Sequence, residues 1–225
     1  MTRLNGPQAT GREYRNLSQP EHAIREEQNR RVPMRDGIAL LADVLRPDAS
    51  GRFPALVAAS PYPRQIQNSG IPIGFVEAGT SSFFVPRGYA HVIANVRGTG
   101  GSGGEYAFFG ANDRADMHDL VEWTAAQPWC DGHVGMVGIS AFAMAPLAAA
   151  VEAPAHLKAI FPLAATSGAS WLRPARALQE VSEGSSPRWE NSRTSCHNLL
   201  IPALIAKLAP GRGARSCLSC LGSDQ

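Results

Sequence analysis

Residues 129–143, W-C-D-G-H-V-G-M-V-G-I-S-A-F-A, constrain the fold more than any other part of the chain. A short apolar β-type run, 134–137, leads into Gly138, Ile139 and Ser140, and small residues suited to a helix follow from Ala141. A glycine two positions ahead of the serine lets strand and helix approach closely, and the serine then stands exposed on a sharp turn, the arrangement called a nucleophile elbow. The stretch therefore nominates Ser140 as a nucleophile and requires a buried strand leading into it.

The remaining punctuation fits a strand-and-helix alternation. Residues 1–22 are polar and aperiodic and read as a flexible leader. Residues 24–33 and 38–45 flank the turn signal Met34-Arg35-Asp36-Gly37 and predict an antiparallel N-terminal hairpin. Residues 54–59 and 89–95 read as buried strands, with a polar, Gly-rich excursion over 64–80 and a short helix at 81–87 stopped by Gly88. Asn112 is placed to cap a helix over 113–127, with Asp113 and Asp116 in its first turn and Met117, Leu120, Val121 and Thr124 at core spacing. Helix-terminal charge and solvent exposure are the expected roles of Asp113, Asp116 and Asp119. Pro128 ends that helix.

After the elbow, residues 141–151 are apolar on every face, with Pro146 expected in the second turn, where it would strain or kink the helix. Residues 157–163 read as the next strand. The pattern predicts an α/β domain over 23–166, a mostly parallel sheet with flanking helices and an antiparallel N-terminal hairpin.

Charge and hydropathy exclude several classes. The net charge is +2 and the basic residues are scattered except at the two ends, which gives no nucleic-acid footprint. No apolar run approaches the ~18 residues needed to span a bilayer, and the first residues lack a signal-type core, so a cytoplasmic protein without membrane association is expected. The Gly-rich run 97–104 lacks the Lys-Ser/Thr of a phosphate loop and reads as a tight loop at the C-terminal edge of a sheet. Cys217-x-x-Cys220 near His197 is a weak metal signature, because a second pair is missing, and no metal is assigned.

A serine hydroxyl needs a base and a pair of donors for the oxyanion that develops on attack. The backbone N–H of Ala141, next after the nucleophile and at a helix start, supplies one donor. The second is expected from the loop after an earlier strand, where Tyr62 can offer its hydroxyl.

Pro61-Tyr62, the loop N-V-R-G-T-G-G-S-G-G-E-Y at 95–106, D-L-V-E-W at 119–123 and Q-P-W-C-D-G at 127–132 running into Gly138-Ile139-Ser140 together resemble the Xaa-Pro dipeptidyl-peptidase and cocaine-esterase-like hydrolase family. The resemblance covers residues 24–166. It implies the α/β-hydrolase fold, here in part, with Ser140 as nucleophile and Tyr62 in the oxyanion hole. It also implies small-molecule ester or amide substrates, or Xaa-Pro peptides, and no cofactor. Ala141 and Ala143 depart from the family's usual Tyr and Gly, both replaced by small residues.

Beyond Thr166 the composition turns to Arg, Ser and Pro, and residues 167–225 read as an irregular tail. Too few residues follow Ser140 for the cap and the strands that carry the triad Asp and His in the family, so a truncation or frameshift near 166 is expected. In the tail His197 is the only histidine, with Glu180, Glu183 and Glu190 ahead of it, and none lies in a strand-then-loop context. His118, His133 and His156 are explained by helix, turn and loop positions. Two readings result: a serine hydrolase acting through Ser140, or an inactive fragment that binds or self-associates through an exposed sheet edge.

Overall fold

Among the described residues six strands, most of them short runs rich in Val, Ile and Ala, form one sheet. The structure, a computed structural model, describes residues 18–67, 77–107, 110 and 112–165. In chain order the elements are β1 (Ile24–Pro33), β2 (Ala39–Pro47), β3 (Phe53–Ser60), α1 (Arg64–Gln67), α2 (Ser81–Phe84) with a 3-10 turn at Val85–Arg87, β4 (Ala90–Asn95), α3 (Asp113–Ala125) and β5 (Cys130–Ile139). A 3-10 turn at Ser140–Ala143, α4 (Met144–Glu152) and β6 (Leu157–Leu163) complete them. The strand order is β1-β2-β4-β3-β5-β6. The first two pairings are antiparallel, and β4–β3, β3–β5 and β5–β6 are parallel. The sheet is thus mixed, an α/β fold opening on an antiparallel hairpin.

Position in the sheet explains composition. β1 is an edge strand that shows Arg25, Glu26, Arg30 and Arg31 to solvent, charges that discourage edge pairing with another chain. β4 is buried along its whole length. Because side chains alternate across a strand, Val57, Ala59, Val92 and Ala94 face a core shared with Met117, Leu120 and Val121 of α3 and Ala145, Ala148 and Ala149 of α4. Burying each of the larger of these side chains contributes ~1.5–3 kcal/mol. On the opposite face Ala58 and Ile93 meet Ala78 and Phe142. The turn at 34–37 is fastened to α3, where Asp119 accepts from the Arg35 amide at 2.9 Å and from its guanidinium at 2.6 Å.

Several local expectations change. Asn112 has helical backbone angles and makes no side-chain cap; its carbonyl instead accepts from the Asp116 amide at 2.9 Å. Asp116 and Asp119 are not simply solvated. Asp116 is buried and takes a two-pronged contact from Arg97 at 2.9 and 2.7 Å, while Asp36 holds the same guanidinium at 2.7 Å. Pro146 is the third residue of α4, within the first turn of the regular helix, a position that tolerates proline, rather than in the second turn. The Gly-rich loop spends its amides on the protein itself: Gly98 donates to Gly103, Ser102 to Thr99 and Gly103 to Ala39. A β-carbon on Gly100 would overlap the Asn95 side chain.

Behind this loop sits a buried arginine. Arg64, 1% exposed, pairs with Asp43 of β2 at 3.2 Å and donates to Asn29 at the β1 bulge, to Asn95 at the end of β4 and to the carbonyl of Gly100. The chain leaving β3 toward the site is anchored there.

Candidate active site

β5 ends at Ile139, and Ser140 follows with φ +58°, a left-handed conformation that costs a non-glycine residue ~1 kcal/mol or more. The turn is tight because a β-carbon at Gly138 would overlap the backbone of Phe142. Phe142 is fully buried and anchors the far side of the turn. Ser140 is consequently exposed at the apex, as the glycine spacing implied, and Ala141 sits in the first turn of the helical segment, where its N–H has no intrahelical acceptor.

Ser140 and Ala141 line a cavity of about 600 Å³. Its walls include Tyr62 and Pro61 from the loop after β3, Tyr106 from the Gly-rich loop, Asp113 and Met117 from α3, and Met144 from α4. Tyr62 is 45% exposed, its ring 6.3 Å from that of Phe142. The Tyr62 main chain is fixed on both sides, its amide donating to Ser60 Oγ at 3.0 Å and its carbonyl accepting from Asn95 Nδ2 at 2.8 Å. The three residues singled out from sequence, Ser140, Tyr62 and Ala141, therefore border one space.

Two carboxyls near this space carry more than their sequence positions indicated. Asp113 was expected to be a solvated helix-terminal charge; it is half-buried in the cavity wall, and burial first, then the negative charge of Asp116, raise it to about 6. Its position at the first turn after a Gly-rich loop was the available signal. Glu77 had none, since nothing in the polar segment 64–80 relates it to the elbow by spacing. Its carbonyl accepts from the Ile139 amide at 3.0 Å, burial raises its carboxyl, and a hydrogen bond with the Ser140 side chain acts in the opposite direction.

None of the described histidines lines the cavity. His91, fully buried in β4, bonds Ser81 and the Ala78 carbonyl; His118 meets Arg35 and Asp119; His133 meets Asp131; His156 meets Glu122. His22 packs edge-on against Phe53. His197, Glu180, Glu183, Glu190, Cys217 and Cys220 lie outside the described residues. Among the described residues no cluster of three metal-ligating side chains occurs, and no helix is long and apolar enough to cross a membrane.

The sequence profile of the X-Pro dipeptidyl-peptidase (S15) family matches residues 36–193. The chain belongs to this family. The match continues past Thr166, where the resemblance read from the motifs ends. Among relatives of this S15 family chain, a cocaine esterase from Rhodococcus sp. (strain MB1 Bresler) is 39% identical over 150 residues, 65% of this chain and 25% of that protein. A putative Xaa-Pro dipeptidyl-peptidase from Bacillus anthracis is 31% identical over 157 residues, 57% of this chain and 26% of that protein. A solved CocE/NonD family hydrolase from Staphylococcus aureus superposes with a TM-score of 0.55 at 30% identity, covering 61% of this chain and 27% of that one. The chain spans about a quarter of the length of the curated relatives it matches.

Proposed function

We propose that this S15 family chain carries the nucleophile half of a serine hydrolase acting on an ester or amide acyl group, Xaa-Pro peptides included. Ser140 Oγ attacks the acyl carbonyl as its proton passes to a base, and the Ala141 N–H and the Tyr62 hydroxyl receive the oxyanion. The C–O or C–N bond breaks and the alcohol or amine departs carrying that proton, and water then hydrolyses the acyl-serine to free the acid and the serine hydroxyl. The observation that carries the reading is Ser140 itself, a non-glycine residue held at φ +58° on the rim of a mostly apolar cavity that Tyr62 also borders. Strained backbone at a cavity is a signature of function because folding alone gains nothing from it. The apolar lining suits an uncharged acyl or alkyl group, with Tyr62, Tyr106 and Asp113 as polar contacts.

A fluorophosphonate probe tests this directly. Labelling of the full chain that disappears in Ser140→Ala is the expected result; folded protein that takes up no label would end the hydrolase reading.

The second reading, a fragment that binds rather than catalyses, has its own support. No described histidine reaches the cavity, and the outer strand β6 exposes Phe161 at 65% and Leu163 at 48%. An apolar edge of this kind favours association with a second copy. Concentration-dependent oligomers in a protein that resists the probe would favour this reading.

A further inference from the structure

Glu77 and Ser140 are 63 positions apart, yet the structure brings the segment of one against the turn of the other. The Glu77 carbonyl closes the end of β5 by accepting from Ile139, the residue before the nucleophile, at 3.0 Å. That bond sets Glu77 beside the nucleophile, and the influence of the Ser140 hydroxyl on the Glu77 carboxyl lowers its pKa against the rise caused by burial. Its Oε2 is buried with no hydrogen-bond partner, an arrangement that costs free energy and is seldom kept without a purpose. The segment carrying it is itself pinned, since Ala78 donates to Gln67 Oε1 at 3.1 Å and accepts from His91 Nε2 at 3.0 Å.

We propose that Glu77 is the positioning residue of Ser140, its carboxylate accepting the serine hydroxyl so that the Oγ lone pairs face the cavity. The proposal rests on Ser140 being the nucleophile. An ionised carboxylate can only accept, so it fixes the direction of the O–H; a protonated carboxyl can donate, which would reverse the bond and occupy an Oγ lone pair. Glu77 does not remove the proton. It sets where the hydroxyl points before a base acts. Burial, the larger influence on this carboxyl, raises its pKa from 4.5 and places the change from orienting to blocking form above that value. Glutamine keeps the shape but can either donate or accept, so it loses the directional control.

The full-length chain and its Glu77→Gln variant are titrated with the fluorophosphonate probe from pH 4.5 to 8. The wild-type labelling rate is expected to rise with pH along an acidic limb. In Glu77→Gln that limb disappears and labelling at pH 7 is about tenfold slower, the scale of one charge-assisted hydrogen bond. A variant that retains both limb and rate overturns the proposal. A second measurement does not need labelling at all: carboxyl carbon NMR of Glu77 in wild type and in Ser140→Ala. Loss of the hydroxyl should move the Glu77 pKa further up, and an unmoved value overturns the contact. Wild-type protein that never labels refutes the hydrolase reading, while the NMR comparison still decides the pairing.

Discussion

Lowering the pH through the range below 6.5 should destabilise the fold through one residue, His91. Burial lowers this imidazole from 6.5 to about 4, with the hydrogen bond to the Ala78 carbonyl acting against it. Nε2 donates to that carbonyl at 3.0 Å and Nδ1 accepts from the Ser81 hydroxyl at 2.8 Å, so the neutral ring satisfies both partners, and a second ring proton would force Ser81 to turn from donor to acceptor and place a charge in the core. Between the two pKa values the unfolded chain holds a proton that the folded chain does not. The stabilisation is therefore complete above pH 6.5 and is lost as pH falls toward 4. At ~1.4 kcal/mol for each pH interval of one, the loss is ~3 kcal/mol, a large part of the 5–15 kcal/mol typical of a domain. Asp113 works in the opposite sense, since its carboxyl is raised from 3.8 to about 6 and the folded state gains relative stability as it protonates. Comparison with His91→Gln, which keeps a donor for Ala78, cancels that contribution. Urea unfolding followed by the fluorescence of Trp123 and Trp129 at a series of pH values is the assay. The wild type should lose ~3 kcal/mol relative to the variant between pH 6.5 and 4, and parallel curves would refute the reasoning.

Other outcomes follow from the elbow and the cavity. Tyr62→Phe should slow probe labelling by ~100-fold, the cost of one oxyanion donor, with little change in thermal midpoint. Gly138→Ala forces a methyl into the Phe142 backbone; it should abolish labelling and cost ~3 kcal/mol, seen as a drop of roughly 10 °C in thermal midpoint. Ser140→Gly should be ~1 kcal/mol more stable than Ser140→Ala in chemical denaturation, because both lose the hydroxyl and only glycine is unstrained at φ +58°.

The sheet was legible because its strands are local patterns. The run at 90–95 is apolar but for His91 and Asn95 since β4 is covered on both faces, and the turn at 34–37 announces its hairpin in four residues. The elbow was legible for the same reason, as Gly138 and Ser140 act within one turn. Contacts across long separations left no such trace. Asp116 was read as a solvated charge because its partner Arg97 lies on another element, and Asp113 because a helix-terminal acid looks alike whether or not a cavity opens beside it. Glu77 reaches Ser140 only through the crossing of two segments that periodicity cannot relate. Pro146 was misjudged because the 3-10 turn at Ser140–Ala143 delays the start of α4, a shift of three residues that decides whether a proline is harmful.

Arg64 gives the fold a property in time. Its guanidinium is served by Asn29, Asp43, Asn95 and Gly100, four positions brought in from separate segments, and a partly assembled chain can offer only some of them. A charge entering a low-dielectric interior with too few partners is penalised, so the arginine should be admitted only after β1, β2 and β4 are in register. Such a late-formed contact contributes little to the folding barrier and much to the unfolding barrier. Stopped-flow measurements on Arg64→Met should show a native state that opens faster while folding at nearly the wild-type rate. The joint behind the Gly-rich loop would then act as a latch on the native state's lifetime rather than as a guide to its formation.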